Sequence, residues 1–342
     1  MAKHNNLNSS TNRRTTLNLI VASALSPIVH NLFAQTSQRE IVDYPSRPIR
    51  IILGASIGGS TDVVTRLVTQ KITELWSQPF LVENLTGGTG VIASETVARS
   101  IPNGYTLYAV SSSNIVNSAV DLKIVRSFNF RTSFIPITMM VVQPYVLVVN
   151  VSVPVTTVKE LIAYAKSKPG QLNYGSLGIG SATHIGTELF KSMAGIDMVH
   201  VPYKGTNQVE SDLVAGHIQV LFGGALSSMP LAKSGKTRAL AVTSVKRSKL
   251  LPDLPTISES GLAGFDLTAW FGLMAPAGTP QEIIQKIFIA ATRVINTPEV
   301  RDQLAAGGSE TNPSDSSASF GVFINSEIDK WGKFGKSHAL SL

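Results

Sequence analysis

The chain has 342 residues, no cysteine, and 29 Lys and Arg against 22 Asp and Glu. The absence of cysteine excludes a small disulfide-stapled domain, and the length allows burial of a large core, divided between two lobes. Basic residues do not cluster with aromatics, which excludes a nucleic-acid face and leaves a modest preference for anions.

The N-terminus reads as a secretory signal. Arg13 and Arg14 precede an apolar stretch from Leu17 to Val29, interrupted by Pro27, and a small residue follows at Ala34. The stretch is too short for the roughly 20 residues of a membrane-spanning helix. Removal after about Ala34 takes away Lys3, Arg13 and Arg14 and leaves 26 basic against 22 acidic residues, a net charge of +4. "NRRTTL" resembles a twin-arginine signal but carries Thr16 where phenylalanine is usual, so the general export route is favoured. Residues 1–34 are therefore expected to be a signal peptide, and the mature protein soluble and periplasmic.

From Tyr44 onward, short β-branched runs alternate with helical patterns. "RPIRIIL" is followed by a helix to about Trp76, "PFLVEN" by a helix from about Gly90 to Ser100, and then "YTLYAV". This alternation predicts βαβ units and a largely parallel sheet. In the first helix Val63, Val64, Leu67, Val68, Ile72 and Leu75 recur at helical spacing, with Ser60, Thr61 and Asp62 as capping oxygens. After a poorly patterned stretch from Asp121 to Ile135, "QPYVLVVN" predicts a buried strand, and "TTVKELIAYAKSKPG" a helix capped by Thr156 or Thr157. A second series follows: "LNYGS", a helix from about Ala182 to Met193, "DMVHVPY", a helix from about Thr206 to Ala215, "IQVLFGG" and "TRALAVTS". "RSKLLPDLPTISESGLAGFD" predicts an ordered surface loop, "LTAWFGLMAPAGTP" returns to strand, and two helices, about 280–296 and 316–334, close the chain.

Two strand-to-helix junctions carry the chemistry. In "GASIGGSTD", Gly58 and Gly59 let backbone approach a ligand, and the N–H groups of the following helix can bind an anion. Thr61 can donate a hydroxyl; Asp62 is either a loop brace or a ligand contact. In "YGSLGIGSATH", Gly175, Gly178 and Gly180 precede Ser181, Thr183 and His184. Gly178 and Gly180 have the spacing of a dinucleotide fingerprint, but Thr183 replaces its third glycine and Asp197 begins a strand rather than ending one. "SSSN", Ser111 to Asn114, ends a strand and is either a hydroxyl donor set or a plain turn. His184, His200, His217 and His338 have no metal-ligand spacing, and no G-x-S-x-G elbow occurs. His200 and His217 read as structural residues, Trp270 and Phe271 as core.

These stretches, with "VEN", "NGYTLY", "VHVPYKGT" and "LPTISESGLAGF", make the chain resemble the Bug (TctC) family, the periplasmic solute-binding receptors of tripartite tricarboxylate transporters. The resemblance implies an α/β, two-lobed type II periplasmic-binding-protein fold with a ligand cleft between the lobes and no enzymatic activity. It implies lobe 1 at 43–143, lobe 2 at 144–264 and a return to lobe 1 at 265–342. Ligand contacts would come from Ala55, Ser56, Gly58, Gly59, Thr61 and Asp62; from Ser111, Ser112 and Asn114; from Ser176, Gly180, Ser181, Thr183 and His184; and from Tyr203, Gly205 and Thr206. Three departures stand out. Gly54 and Ala55 occupy positions where the family carries proline and an aromatic residue, Leu85 and Thr86 replace Arg-Pro, and Gly223 stands where aspartate is common.

The expected function is capture of a small organic anion, a carboxylate, for delivery to a membrane permease by a monomer that needs no cofactor or metal. A ligand-sensing partner of a sensor kinase, or an exported enzyme acting on a carboxylate, are the alternatives.

Overall fold

The computed structural model describes residues 1, 43–120 and 127–337; residues 2–34 of the expected signal peptide, and His338, lie outside the described residues. The chain divides into two compact units, Met1–Ser46 and Arg47–Leu342. Described residues of the first include a turn at Asp43 and a cis peptide bond between Tyr44 and Pro45.

The second unit opens with β1 (Ile49–Leu53), α1 (Ser60–Trp76), β2 (Phe80–Asn84), α2 (Val91–Ala98), β3 (Thr106–Ser111) and α3 (Ser112–Val120). β1 pairs in parallel with both β2 and β3, as the alternating pattern predicts. α1 buries Val64, Val68 and Ile72 on one face, with Leu67 half-buried, whereas Val63 and Leu75 of the stripe read from the sequence are exposed.

β4 (Phe134–Asn150) is twice as long as the strand anticipated from "QPYVLVVN". Its first half contains Pro136, which cannot donate to a ladder. The pairing with β9 (Thr268–Pro276) slips in register between Pro136 and Thr138 and again between Met139 and Val141, so the proline is accommodated at an irregularity. β4 pairs with β9 as far as Pro144 and with β7 (Val220–Gly224) from Tyr145, so one strand carries the chain between two halves of the sheet.

The second half contains α4 (Val158–Ser167), β5 (Asn173–Ser176), α5 (Ala182–Ala194), β6 (Val199–Pro202), α6 (Thr206–Ala215), then β7, α7 (Ala225–Lys233) and β8 (Thr237–Val242). β5 is parallel to β6 and β7. The strand order is β2-β1-β3-β9-β4-β7-β5-β6, with β8 and the short β10 (Glu310–Thr311) both on β4. The expectation of a largely parallel sheet therefore fails at the centre: β9 is antiparallel to β3, and β4 is antiparallel to β7, β8, β9 and β10.

Thr157 caps α4 in a reciprocal box: its hydroxyl accepts from Glu160 N–H, and Glu160 reaches back to the Thr157 N–H. Thr157→Ala is expected to lower stability by about 1 kcal/mol, read as a shifted urea midpoint with unchanged slope. Residues 243–267 form no helix or strand, as expected of the proline-rich loop. The two closing helices prove to be three: α8 (Gln281–Ile295), α9 (Pro298–Ala306) and α10 (Ser317–Ser337). Pro298 starts α9 at the position where its missing N–H costs nothing, so the proline divides the region.

One core cluster joins Tyr108, Phe130, Phe134, Trp270 and Phe320; a second joins Val146, Val148, Tyr203, Leu213 and Leu221. Trp270 and Phe271 are buried, as read from the sequence.

Candidate functional site

Gly59, not Ser60, Thr61 or Asp62, is the residue that caps α1, and no side chain bonds there. Gly58 takes the left-handed φ of +78°, which favours glycine, whereas Gly59 has an ordinary φ of −70°. Asp62 is buried and both its oxygens are engaged. Oδ2 accepts from Gly58 N–H at 3.0 Å; Oδ1 accepts from Arg66 Nε and from Asn84 Nδ2, each at 2.9 Å. Asn84 Nδ2 also donates to the Ala55 carbonyl at 3.0 Å. Burial acts to raise the Asp62 pKa, but the bonds from Arg66, Gly58 and Asn84 outweigh it and hold the group below the usual carboxylate range. Of the two readings of Asp62, this geometry is the brace. Thr61 is buried beside it, and Ser56 is exposed on the loop.

"SSSN" is the start of a helix rather than a turn. Ser111 donates from both N–H and Oγ to Asn114 Oδ1, at 2.8 and 2.9 Å, which ties the end of β3 to the first turn of α3. Ser112 Oγ is buried and, among the described residues, has no hydrogen-bond partner of ordinary geometry. The Tyr145 phenol, on β4, is raised in pKa by burial, an effect the nearby Ser112 and Ser113 hydroxyls only moderate.

In the β5–α5 loop Gly178 and Gly180 both have positive φ, +106° and +77°. Ser181 Oγ caps α5 by accepting from His184 N–H at 3.2 Å, and Thr183 Oγ1 accepts from Leu177 N–H at 3.0 Å. Gly180 N–H donates to His184 Nδ1 at 3.1 Å, and Ser176 Oγ lies 2.6 Å from His200 Nε2. Tyr203 donates its phenol proton to Asp212 Oδ2 at 2.7 Å; burial, then that carboxylate, pushes its pKa up to about 12. Gly205 precedes α6 with no side-chain cap, and Thr206 is its first residue.

The two halves of the sheet meet at these loops. Ala182 N–H points at Ser113 Oγ at 3.4 Å, and a Cβ on Gly180 would overlap Asn117 Nδ2. A Cβ on Gly224, the residue before α7, would lie 3.7 Å from Ser60 Oγ. Thus α3 faces α5, and α1 faces α7, by their N-termini. The first N–H groups of a helix lack intrahelical partners and carry partial positive charge. No acidic residue lies in the first turn of α3, α5, α6 or α7, and the one in α1, Asp62, is paired with Arg66. Such a convergence of donors suits an anion.

Sequence reasoning missed Arg66, Asn84, Asn117, Tyr145 and the role of His200. Only the Asp62–Arg66 spacing, i and i+4, was a signal visible in the chain. At Gly223, a side chain would collide with Ser228, whose Oγ donates to the buried Glu210 at 2.8 Å; two other residues fill the space of the absent aspartate. Among the described residues no group of three or more His, Cys, Asp or Glu could hold a metal ion.

Residues 64–340 match the family described as the tripartite tricarboxylate transporter family receptor. Protein BugT of Bordetella pertussis is 33% identical over 290 residues, 84% of this chain and 88% of that protein. Among solved structures, a periplasmic transporter is 35% identical with a TM-score of 0.81, over 86% of this chain and 98% of that one. R. palustris Rpa4515 with adipate is 33% identical, also at TM-score 0.81 and with the same coverage of both chains. Likeness at this level carries the fold: an α/β, two-lobed type II periplasmic-binding-protein architecture.

Proposed function

The chain belongs to the tripartite tricarboxylate transporter receptor family, the extracytoplasmic solute-binding receptors of that transporter, and on this premise we propose that its cleft captures a small carboxylate and presents it to a membrane permease without chemical change. The observation that carries the reading is the approach of helix N-termini in two pairs, α3 to α5 and α1 to α7, each pair drawn from both halves of the sheet, with no unpaired acid in their first turns. A carboxylate accepts several N–H bonds at once and compensates the dipoles. The adipate in the similar R. palustris structure supports this class of ligand. We place the boundaries of the two lobes near Gln143 and Phe265, and the ligand against Ser56 to Thr61, Ser111 to Asn114, Ser176 to His184 and Tyr203 to Thr206.

The test is mass spectrometry of the small molecule released from purified protein, followed by a thermal-shift series of mono- and dicarboxylates. A ligand that binds only the folded state raises the melting temperature with concentration. Shifts by sugars, amides or cations and by no carboxylate would overturn the reading, and conversion of the bound acid would make the protein an enzyme.

Ala55 refines the ligand class. The two side chains that would have to replace the aromatic wall the family carries at this position do not do so: Ile57 is 79% exposed and Trp270 is buried against Phe320. The ligand we expect is therefore bulkier than a four-carbon diacid. Ala55→Phe should move the preference toward succinate and away from benzoate at least tenfold in the ratio of Kd values, measured by calorimetry. An unchanged ratio would remove the wide-pocket idea alone.

A further inference from the structure

Behind the β5–α5 loop lies a partly buried stack in which the family reading gives a role to His184 alone. The His184 and His200 rings stack at 4.0 Å between centroids and 19° between planes, and His200 stacks in turn on Tyr174 at 4.9 Å. The Tyr174 phenol donates to Glu188 Oε1 at 2.5 Å, and Lys191 Nζ donates to the same oxygen at 2.9 Å. The stack grips the loop at both ends, through Ser176 Oγ on His200 Nε2 and through Gly180 N–H on His184 Nδ1.

We propose that the neutral histidine pair holds residues 176–184 in their ligand-accepting shape, with His200 as a positioning residue, so that protonation of the pair unlocks the loop and weakens capture. The proposal rests on the carboxylate reading of the cleft. Its chemistry is that of the imidazole lone pair. His184 accepts from Gly180 N–H at Nδ1, so its proton is on Nε2; an imidazolium has N–H at both nitrogens and no acceptor left. Gly180 N–H would then face another N–H. Two stacked rings at 4.0 Å also cannot both carry charge cheaply.

The groups facing the pair are Tyr174 and Ser176 from β5 and Glu188 and Lys191 from α5 itself. Burial lowers the His184 pKa, against the pull of Glu188. Burial, then the neighbouring His184, brings His200 down to about 4. Glu188 is already committed to Tyr174 and Lys191, so it does not rescue the imidazolium. The sign follows. Because both folded-state values lie below the ordinary histidine value of 6.5, the pair favours the native loop fully above that value. The contribution is lost as pH falls from there toward the folded-state values. A purely electrostatic role predicts the opposite, since a cation behind the loop would tighten an anion.

Two measurements decide. The first needs no ligand: hydrogen–deuterium exchange of the peptide covering 177–183, corrected for the intrinsic pH dependence of exchange, should lose at least tenfold protection between pH 7.5 and pH 4.5. Protection that stays constant would overturn the lock whether or not the cleft binds carboxylates. The second compares side chains with adipate as probe, by calorimetry. His184→Leu cannot accept from Gly180 and should weaken binding at least tenfold at pH 7.5. His184→Asn, whose Oδ1 can accept, should recover part of that loss, and its affinity relative to wild type should improve as pH falls to 5. Likewise His200→Gln, which can still bond Ser176, should bind at least threefold tighter than His200→Leu. Equal affinities within each pair, or a wild-type to Asn ratio constant with pH, would refute the proposal.

Discussion

Gly180→Val is expected to weaken ligand capture at least a hundredfold while leaving the protein folded. Gly180 sits at φ +77°, where a side chain costs roughly 1–2 kcal/mol, and more for a β-branched one. A Cβ there would also overlap Asn117 Nδ2, on the helix that faces α5 across the cleft. The Asn117 amide must swing aside, and the strained loop disturbs the 3.4 Å approach of Ala182 N–H to Ser113 Oγ. The cost falls on the arrangement of the loop's donors more than on the core, because Leu177 and Ile179 of the loop are exposed. Gly58→Ala is the comparison: it has a similar φ, +78°, but a Cβ would meet nothing within 4 Å, so strain alone remains. Titration of both variants with the acid recovered from the wild type, with circular dichroism as the check on folding, separates steric from conformational loss. Wild-type Kd for Gly180→Val would show that the shape of the loop at Gly180 does not matter for binding.

Gly272→Val should cost the most stability, about 3 kcal/mol or more. Gly272 lies in β9 opposite Val110 on one side and Met139 on the other. A Cβ at this position would come within 2.8 Å of Phe320 Cε1 and 2.9 Å of the Thr138 carbonyl. Phe320 is fully buried and packed edge-on against Trp270 at 5.8 Å, so it has nowhere to turn, and a carbonyl in a ladder cannot retreat. The variant displaces α10 from the sheet or breaks the β4–β9 pairing. Urea unfolding should show the midpoint fall, and Phe320→Leu in the same chain should restore part of it. A stability unchanged within about 0.5 kcal/mol would mean that the α10–sheet contact is looser than its geometry implies.

Local pattern was enough for α1, α4, α5 and α6, because each presents an apolar stripe at helical spacing and ends in a residue that caps or breaks it. It was enough, too, to find the two glycine-rich loops, since glycine followed by hydroxyl residues at a strand end marks a strand-to-helix junction. It was not enough for α3. "SSSNIVNSAV" has weak intrinsic helix preference; the Asn114 bonds to Ser111 and the cover of α10, whose Gly335 lies against Val120, make it helical. The first half of β4 was hidden by Pro136, because a proline is compatible with a strand only where the register slips, and register is a property of two strands.

What the sequence by itself determined, then, is the family, the α/β alternation of most elements and the glycine-rich junctions where a strand passes into a helix. These depend on residues close together in the chain. Only the tertiary structure decided what each side chain at those places does. Asp62 became a brace because Arg66 and Asn84 reach it, and the Tyr203 hydroxyl turned to Asp212. His184 and His200 became one stacked unit because the parallel register of β5 and β6 sets Tyr174 opposite His200. The physical reason is common to all three: hydrogen-bond partners, and the burial that sets a pKa, are fixed by neighbours in space, and packing alone selects those neighbours.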